Sequence, residues 1–339
     1  MKGATLKDVA REALVSVASV SRVINGLDNV TDDVRSRVLS AASKLKYIPH
    51  GGARSLATSR NNTIGVLLPD IYGEFFSEII RGIDQSAREC GLHIMVSGSH
   101  GDLNETVGAI RSMAGRVDGM LVMLPFASPN SLREILPNDF PIVAISSQLN
   151  DDNGGVISVD NCGGALKAVR HLYDVGCKRI AHISGPQSNF EANERENGFL
   201  KGLETCFIGQ EPLVFEGDFT EEAGRAAIDE FFKNGTPPDG IFAANDMMAV
   251  GALTRLQEIG IKVPDDVAII GFDDIPITRF TSPTISTIRV GIFEVGKRGL
   301  NYLYSMLEDK EFQSTDKRSG IVFLPELIIR ASTQKVRKV

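Results

Sequence analysis

From residue 61 onward the chain alternates short apolar runs with amphipathic stretches, and this alternation limits its possible folds more than any other feature. Candidate strands are 63–69, 93–98, 119–124, 141–146, 156–160, 179–184, 213–216, 240–244, 267–272 and 321–324. Helical stretches separate many of them. The first runs from Glu74 to about Cys90, with Phe76, Ile79, Ile80, Ile83 and Ala87 on one face. Strands that are apolar throughout must be covered on both sides, so repeated βα units of this kind predict a parallel, doubly wound sheet. The series is too long for one such sheet and restarts near Asp160 and Asn161. Two similar halves are expected, with a ligand held at the carboxyl ends of their strands, where loops from both halves meet.

The first 60 residues are built differently. They hold ten Lys and Arg against five Asp and Glu, a net +5, whereas the remaining 279 residues carry −12 of the overall −7. A basic head on an acidic body marks a polyanion-binding module joined to something else. With 42% hydrophobic and 23% charged residues the chain is an ordinary globular one, which excludes disordered, collagen-like and disulfide-scaffold classes. No apolar leader or run long enough to cross a membrane is present, so a cytoplasmic protein without a membrane partner is expected. Cys90, Cys162, Cys177 and Cys206 lack metal or disulfide spacing, and His50, His93, His100, His171 and His182 lack ligand spacing. Neither a metal nor a cofactor is expected.

Short helices fit the head. Thr5 caps a helix from Leu6 to Ala13 with Asp8 in the capping-box position, a turn follows at Leu14 and Val15, and Ser16 caps a second helix, Val17 to Asn25. Thr31, with Asp32 and Asp33, opens a third helix reaching about Lys46. Two short helices joined by a tight turn, then a third that closes the core, form the helix-turn-helix pattern. Its second helix enters the major groove. There Arg22 can donate twice to guanine, Ser21 and Asn25 can hold phosphate or base edges, and Val17 and Ala18 can meet thymine methyls.

The stretch TLKDVAREALVSVASVSRVINGLDNVTDDVRSRVLSAASKLKYIPHGGARSLATSRNNTIGVLLPD resembles the N-terminus of LacI/GalR (lactose-repressor-like) transcriptional regulators. The segments GPQSNFEANERENGF, AANDMMAVGALTRLQEIGIKVPDDVAIIGFDD and SPTISTIRV extend the resemblance over nearly the whole chain. It implies an N-terminal all-α helix-turn-helix headpiece with a hinge helix, followed by an α/β periplasmic-binding-protein-like core of two doubly wound subdomains. The implied limits are headpiece 1–49, hinge 50–60, first core subdomain 61–160 plus about 290–325, second core subdomain 161–289 and tail 326–339. The chain is expected to cross between subdomains three times and to return to the first near residues 288 to 290.

The implied DNA contacts are Leu6, Ser16, Val17, Ala18, Ser21, Arg22 and Asn25 in the head, Tyr47 on the phosphate backbone, and Ala53, Arg54 and Leu56 in the hinge. The hinge leucine is expected to wedge into a base step of the minor groove. The implied effector site is Arg195, Phe219, Asn245 and Asp273, with Phe75, Phe76, His100, Phe126, Ser146, Asn189 and Glu191 in more variable loops. Asp273 can accept from paired hydroxyls, Arg195 offers a fixed fork of donors, and Phe219 can stack on a sugar's apolar face.

Several positions depart from the family pattern. Leu14 stands where glycine is usual in the turn, His50 replaces asparagine before the hinge, and Gly51 and Gly52 replace better helix formers, which predicts a loose free hinge. Ser146 replaces a common aspartate, and Gly73-Glu74 replaces an asparagine-proline pair. The function implied is a sequence-specific repressor of carbohydrate-utilisation genes, a homodimer on pseudo-palindromic operator DNA, controlled by a small-molecule effector. A purine effector, or a cytosolic sugar sensor acting through protein partners, remains open. Nucleotide-binding, metallopeptidase and serine-hydrolase motifs are missing from the sequence, which disfavours an enzyme.

Overall fold

Apolar runs of four to six residues, each followed by an amphipathic helix, close into two six-stranded sheets. The computed structural model describes residues 4–24, 29–47, 60–127, 140–147, 155–233, 235–308 and 320–334. The chain divides into two compact units, one formed by residues 1–62 with 115–118 and the other by the remainder.

In the small unit, α1 (Leu6–Ala13), α2 (Val17–Ile24) and α3 (Asp32–Lys44) pack around Val9, Ala10, Ala13, Val20, Val23, Val38 and Ala41. The capping box forms as expected: the Asp8 amide donates to Thr5 Oγ1 at 3.4 Å, and the Thr5 amide to Asp8 Oδ2 at 3.0 Å. Ser16 Oγ accepts from the Ser19 amide at 3.1 Å and starts α2. Leu14 takes the left-handed conformation, φ 54 and ψ 46, that its missing glycine would have adopted freely. Such a conformation costs a non-glycine residue about 1 kcal/mol. Arg37 of α3 supports it, donating through Nη2 to the Ala13 carbonyl at 2.6 Å and the Leu14 carbonyl at 2.9 Å. The turn keeps its shape because a charged donor braces it from outside.

The large unit holds both sheets. In the first, β1 (Thr63–Leu68), β2 (His93–Gly98), β3 (Gly119–Val122), β4 (Ile142–Ile145), β5 (Gly155–Val159) and β11 (Ile321–Phe323) run in the order β11-β5-β4-β3-β1-β2, all parallel. In the second, β6 (Ile180–Ser184), β7 (Val214–Glu216), β8 (Gly240–Ala243), β9 (Ala268–Asp273), β10 (Ser286–Arg289) and β12 (Glu326–Ile328) run β12-β10-β9-β8-β6-β7. The two orders mirror each other position by position, down to the reversal between the first and third strands of each half.

Around the first sheet lie α4 (Glu74–Glu89), α5 (Leu103–Met113) and α10 (Ile292–Glu308), and around the second α6 (Asn161–Asp174), α7 (Phe190–Cys206), α8 (Glu221–Phe232) and α9 (Asp246–Glu258). Glycines set how closely these helices approach. A methyl group on Gly82 of α4 would strike the Phe293 carbonyl of α10, and one on Gly251 of α9 the Glu221 carbonyl of α8.

The chain passes to the second sheet after β5, returns after β10, and crosses again between β11 and β12. Two strands escape the sequence reading. β10, STIR, is polar at Ser286 and Thr287, yet both are fully buried because their hydroxyls are hydrogen-bonded internally. β12, placed with the tail in that reading, pairs antiparallel with β10 through Thr287–Ile328, Ile288–Leu327 and Arg289–Glu326. The second sheet is therefore mixed, not wholly parallel as the βα repeat predicts; three residues are too few to carry a period.

Candidate functional site: an effector cleft and a DNA-reading head

On the head, the exposed surface of α2 presents Val17, Ala18 and Arg22 beside Ser16, while Val20 and Val23 face the core. Ser21 is half-buried. Leu6 and Tyr47 are also half-buried and pack against the head's own core, so each presents only part of its side chain to a partner. Asn25, Ala53, Arg54 and Leu56, together with the expectation of a loose hinge, lie outside the described residues.

In the large unit the strand ends converge as the topology requires. A small cavity is lined by Phe75, Ile79, Ser146 and Val159 from the first half, Glu191 and Arg195 from the second, Val290 from the return crossing, and Ile292 and Val295 from α10. Arg195, on the inner face of α7, is buried and held on several sides. It donates through Nε to Asn161 Oδ1 at 2.8 Å and through Nη1 to the Ala244 carbonyl at 2.5 Å, and it stacks 4.0 Å over the Phe272 ring. Its Nη2 lies 3.4 Å from Asp273 Oδ1. Asn161 also donates to Glu191 Oε1 at 3.3 Å, so a single amide orients both charged residues of the cavity.

Asp273 closes β9 with φ 110, and its Oδ1 is buried without a hydrogen-bond partner. Burial pushes its carboxyl up to about 7; Arg195 opposes the shift and the neighbouring charge of Glu191 adds to it. Arg195 offsets burial only in part, its guanidinium being shared with Asn161 and Ala244. Behind it, Asp246 is wholly buried, accepting from Thr287 Oγ1 at 2.6 Å and the Ile275 amide at 2.9 Å. Burial and the proximity of Asp273 raise its carboxyl well above the ordinary range.

The other predicted residues divide by what they touch. Asn245 caps α9, accepting from the Met248 amide at 2.9 Å, and donates to the Phe219 carbonyl at 2.9 Å. Phe219, with φ 71, lays its ring where any side chain at Gly185 would clash. Asn189 caps α7 through the Ala192 amide at 3.0 Å. Phe76 meets Phe75 edge-on at 5.3 Å and packs into the core. Phe126 lies over Gly101, and exposed His100 pairs with Glu105 at 2.6 Å, which raises its imidazole above the usual range. Of the predicted effector residues, Phe75, Ser146, Glu191 and Arg195 line the cavity, whereas Phe76, His100, Phe126, Asn189, Phe219, Asn245 and Asp273 do not.

Sequence reasoning passes over Asn161, although its position just past the carboxyl end of β5 is the signal that finds it. It reads Asp274 only as one more position at a strand end, without its partners. That carboxylate is met by Arg330, by Arg289 Nε at 2.7 Å and by Arg279 Nη2 at 3.4 Å. Among the described residues no group of three His, Cys, Asp or Glu could hold a metal ion, and no helix is long and apolar enough to cross a membrane.

Comparison with known proteins agrees with this anatomy. Residues 5–50 match the model for bacterial regulatory proteins of the lacI family, and residues 169–333 match the periplasmic binding protein-like domain. The chain is 35% identical to the HTH-type transcriptional repressor CytR of Escherichia coli (strain K12), over 98% of this chain and 96% of that protein. The chain belongs to the LacI family. It is 33% identical to the repressor PurR of Haemophilus influenzae (strain PittEE), over 98% and 99% of the two chains. Among solved structures it is similar to the lac repressor dimer bound to operator and the anti-inducer ONPF, with TM-score 0.86 and 26% identity over 98% and 100% of the chains. It is also similar to the regulator CelR in complex with cellobiose, with TM-score 0.70 and 28% identity over 97% and 99%. As a family member with a lacI-type head, the protein is a DNA-binding transcriptional repressor.

Proposed function

We propose that the protein is a cytoplasmic homodimeric repressor that binds a pseudo-palindromic operator and is released from it, or tightened on it, by a carbohydrate held at Arg195, Asp273, Asn245 and Phe219. The observation that carries the effector reading is the buried Asp273 Oδ1 without a hydrogen-bond partner, beside a guanidinium already fixed by Asn161 and Ala244. An orphaned buried acceptor calls for a donor, and a sugar hydroxyl supplies one; vicinal hydroxyls span the Asp273 and Arg195 pair. Ser146 and Glu191 offer further polar contacts, and Phe75 an apolar wall. Asn161 joins the set as the residue that orients Arg195. On the head, Ser16, Val17, Ala18, Ser21, Arg22 and Asn25 read the major groove, with Leu6 and Tyr47 at the backbone and Ala53, Arg54 and Leu56 in the minor groove.

Effector and operator act on one equilibrium, so each changes the other's affinity by the same factor. An operator is selected from a random duplex pool with the full-length protein, and a panel of mono- and disaccharides, sugar acids, nucleosides and purines is screened by thermal shift. A carbohydrate that raises the melting temperature and changes operator affinity is the expected result. Asp273→Ala loses that shift while keeping operator binding; a variant that still responds removes Asp273 from the site, and a response to purines alone replaces the carbohydrate. Arg22→Ala weakens the selected operator by about 1–3 kcal/mol and relaxes one base position; an unchanged preference assigns Arg22 to the phosphate backbone.

A further inference from the structure

Glu74 is the first residue of α4, next to Phe75 of the cavity wall, and its helix has no side-chain cap. Its carboxylate instead reaches the other half of the large unit, where Oε2 accepts from the Ile277 amide at 2.8 Å. Ile277 lies in the one-turn 3-10 segment Pro276–Arg279 that follows Asp273 and Asp274. The neighbouring amides of that loop are served from within the second half: Asp274 by Thr287, Ile275 by Asp246, Thr278 by the Ile275 carbonyl and Phe280 by the Ile277 carbonyl. Ile277 thus receives its acceptor from across the cleft, and its side chain packs in the same apolar cluster as Phe75 and Phe76. A second cross-half bond, from the Phe190 amide to the Pro125 carbonyl at 3.1 Å, is backbone to backbone and involves no atom of Glu74.

We propose that Glu74 is an interdomain strap: its carboxylate ties the first half to the loop that carries Asp273 and holds the cleft in the arrangement described here. A charge-assisted bond to a half-buried amide is strong enough to bias a two-state element. The strap is also adjustable by one substitution, and the proposal is independent of which ligand the cleft takes.

The test is single-residue amide exchange, by nuclear magnetic resonance, on the full-length protein carrying Glu74→Pro or Glu74→Gln. Proline suits the first position of a helix, so the former removes the carboxylate while preserving α4. With Glu74→Pro the Ile277 amide exchanges at least tenfold faster, and the distant Phe190 amide, which carries the other cross-half bond, accelerates with it. Amides of α8, remote from the cleft, keep their rates. Glu74→Gln, whose amide oxygen still accepts, falls between Glu74→Pro and the parent. Acceleration at Ile277 alone makes Glu74 a local cap and overturns the strap, as does no change at either amide or a uniform acceleration that includes α8.

Discussion

Asp273 and Asp274 are adjacent in sequence and both adopt left-handed backbone, at φ 110 and 61, yet they serve two differently built regions. Asp273 adjoins Arg195 of the cavity wall, where one guanidinium is divided among several acceptors and the carboxyl rises to about 7. Asp274 belongs to the crossover behind it. Burial works to raise its carboxyl as well, but Arg330 and Arg289 outweigh burial and hold it below the ordinary range. Arg289 ends the strand that leads back to the first half, and Arg330 follows the third crossing, so one carboxylate pins two of the connections on which the halves are hung. Where the protein needs rigidity it compensates a buried charge fully. At Asp273 it leaves the charge under-compensated, and it is this difference that favours Asp273 over Asp274 as the proposed effector contact.

The contrast breaks most readily at Asp274. Asp274→Ala leaves arginines around an empty site and lowers unfolding stability by about 3–5 kcal/mol, read from urea denaturation of the full chain. A loss comparable to that of an exposed ion pair refutes the pinning role.

Asp273 gives a smaller effect of opposite pH sense. Its carboxyl titrates near 7 when folded and near 3.8 otherwise, so the folded chain binds the extra proton between those values and stability falls as pH rises through that window. Asp273→Asn removes this decline, and its stability relative to the parent improves by about 2–4 kcal/mol between pH 5 and pH 8. Melting temperatures at the two pH values decide it; parallel curves place the proton elsewhere. Asp274 contributes in the other direction, its stability being present above the ordinary carboxylate range and lost only in acid; the carboxyl of Asp246 is raised as well, so it is the difference between the two chains that reports Asp273.

The smallest change is Arg279→Gln. This arginine also touches Asp274, but its side chain is 55% exposed, and its removal costs less than about 1 kcal/mol in the same denaturation experiment. A larger loss promotes Arg279 to the rank of Arg330.

Much of this was legible in residue order. Period and capping residues placed α1, α2 and α3 within two residues of their observed ends, because local hydrogen bonds such as that of Thr5 with Asp8 need no distant partner. The strands of both sheets, except β10 and β12, are apolar enough to announce themselves. Ser286 and Thr287 concealed β10 because their burial depends on hydrogen-bond partners far away in sequence, Asp246 and Thr333 among them. The cleft residues were legible only as a set of loop positions: nothing in the order of residues joins Asn161 to Arg195, or separates the duties of Asp273 from those of Asp274.

The sequence by itself determined the alternation of strand and helix, the split between a basic head and an acidic body, and the residues available for a site. Tertiary structure decided how their charges are shared. Arg195 is divided among Asn161, Ala244 and Asp273, Arg37 braces the left-handed Leu14, and Glu74 reaches Ile277. Local propensity acts over a few residues, whereas desolvation and hydrogen-bond geometry depend on which groups the fold brings within about 3 Å of one another.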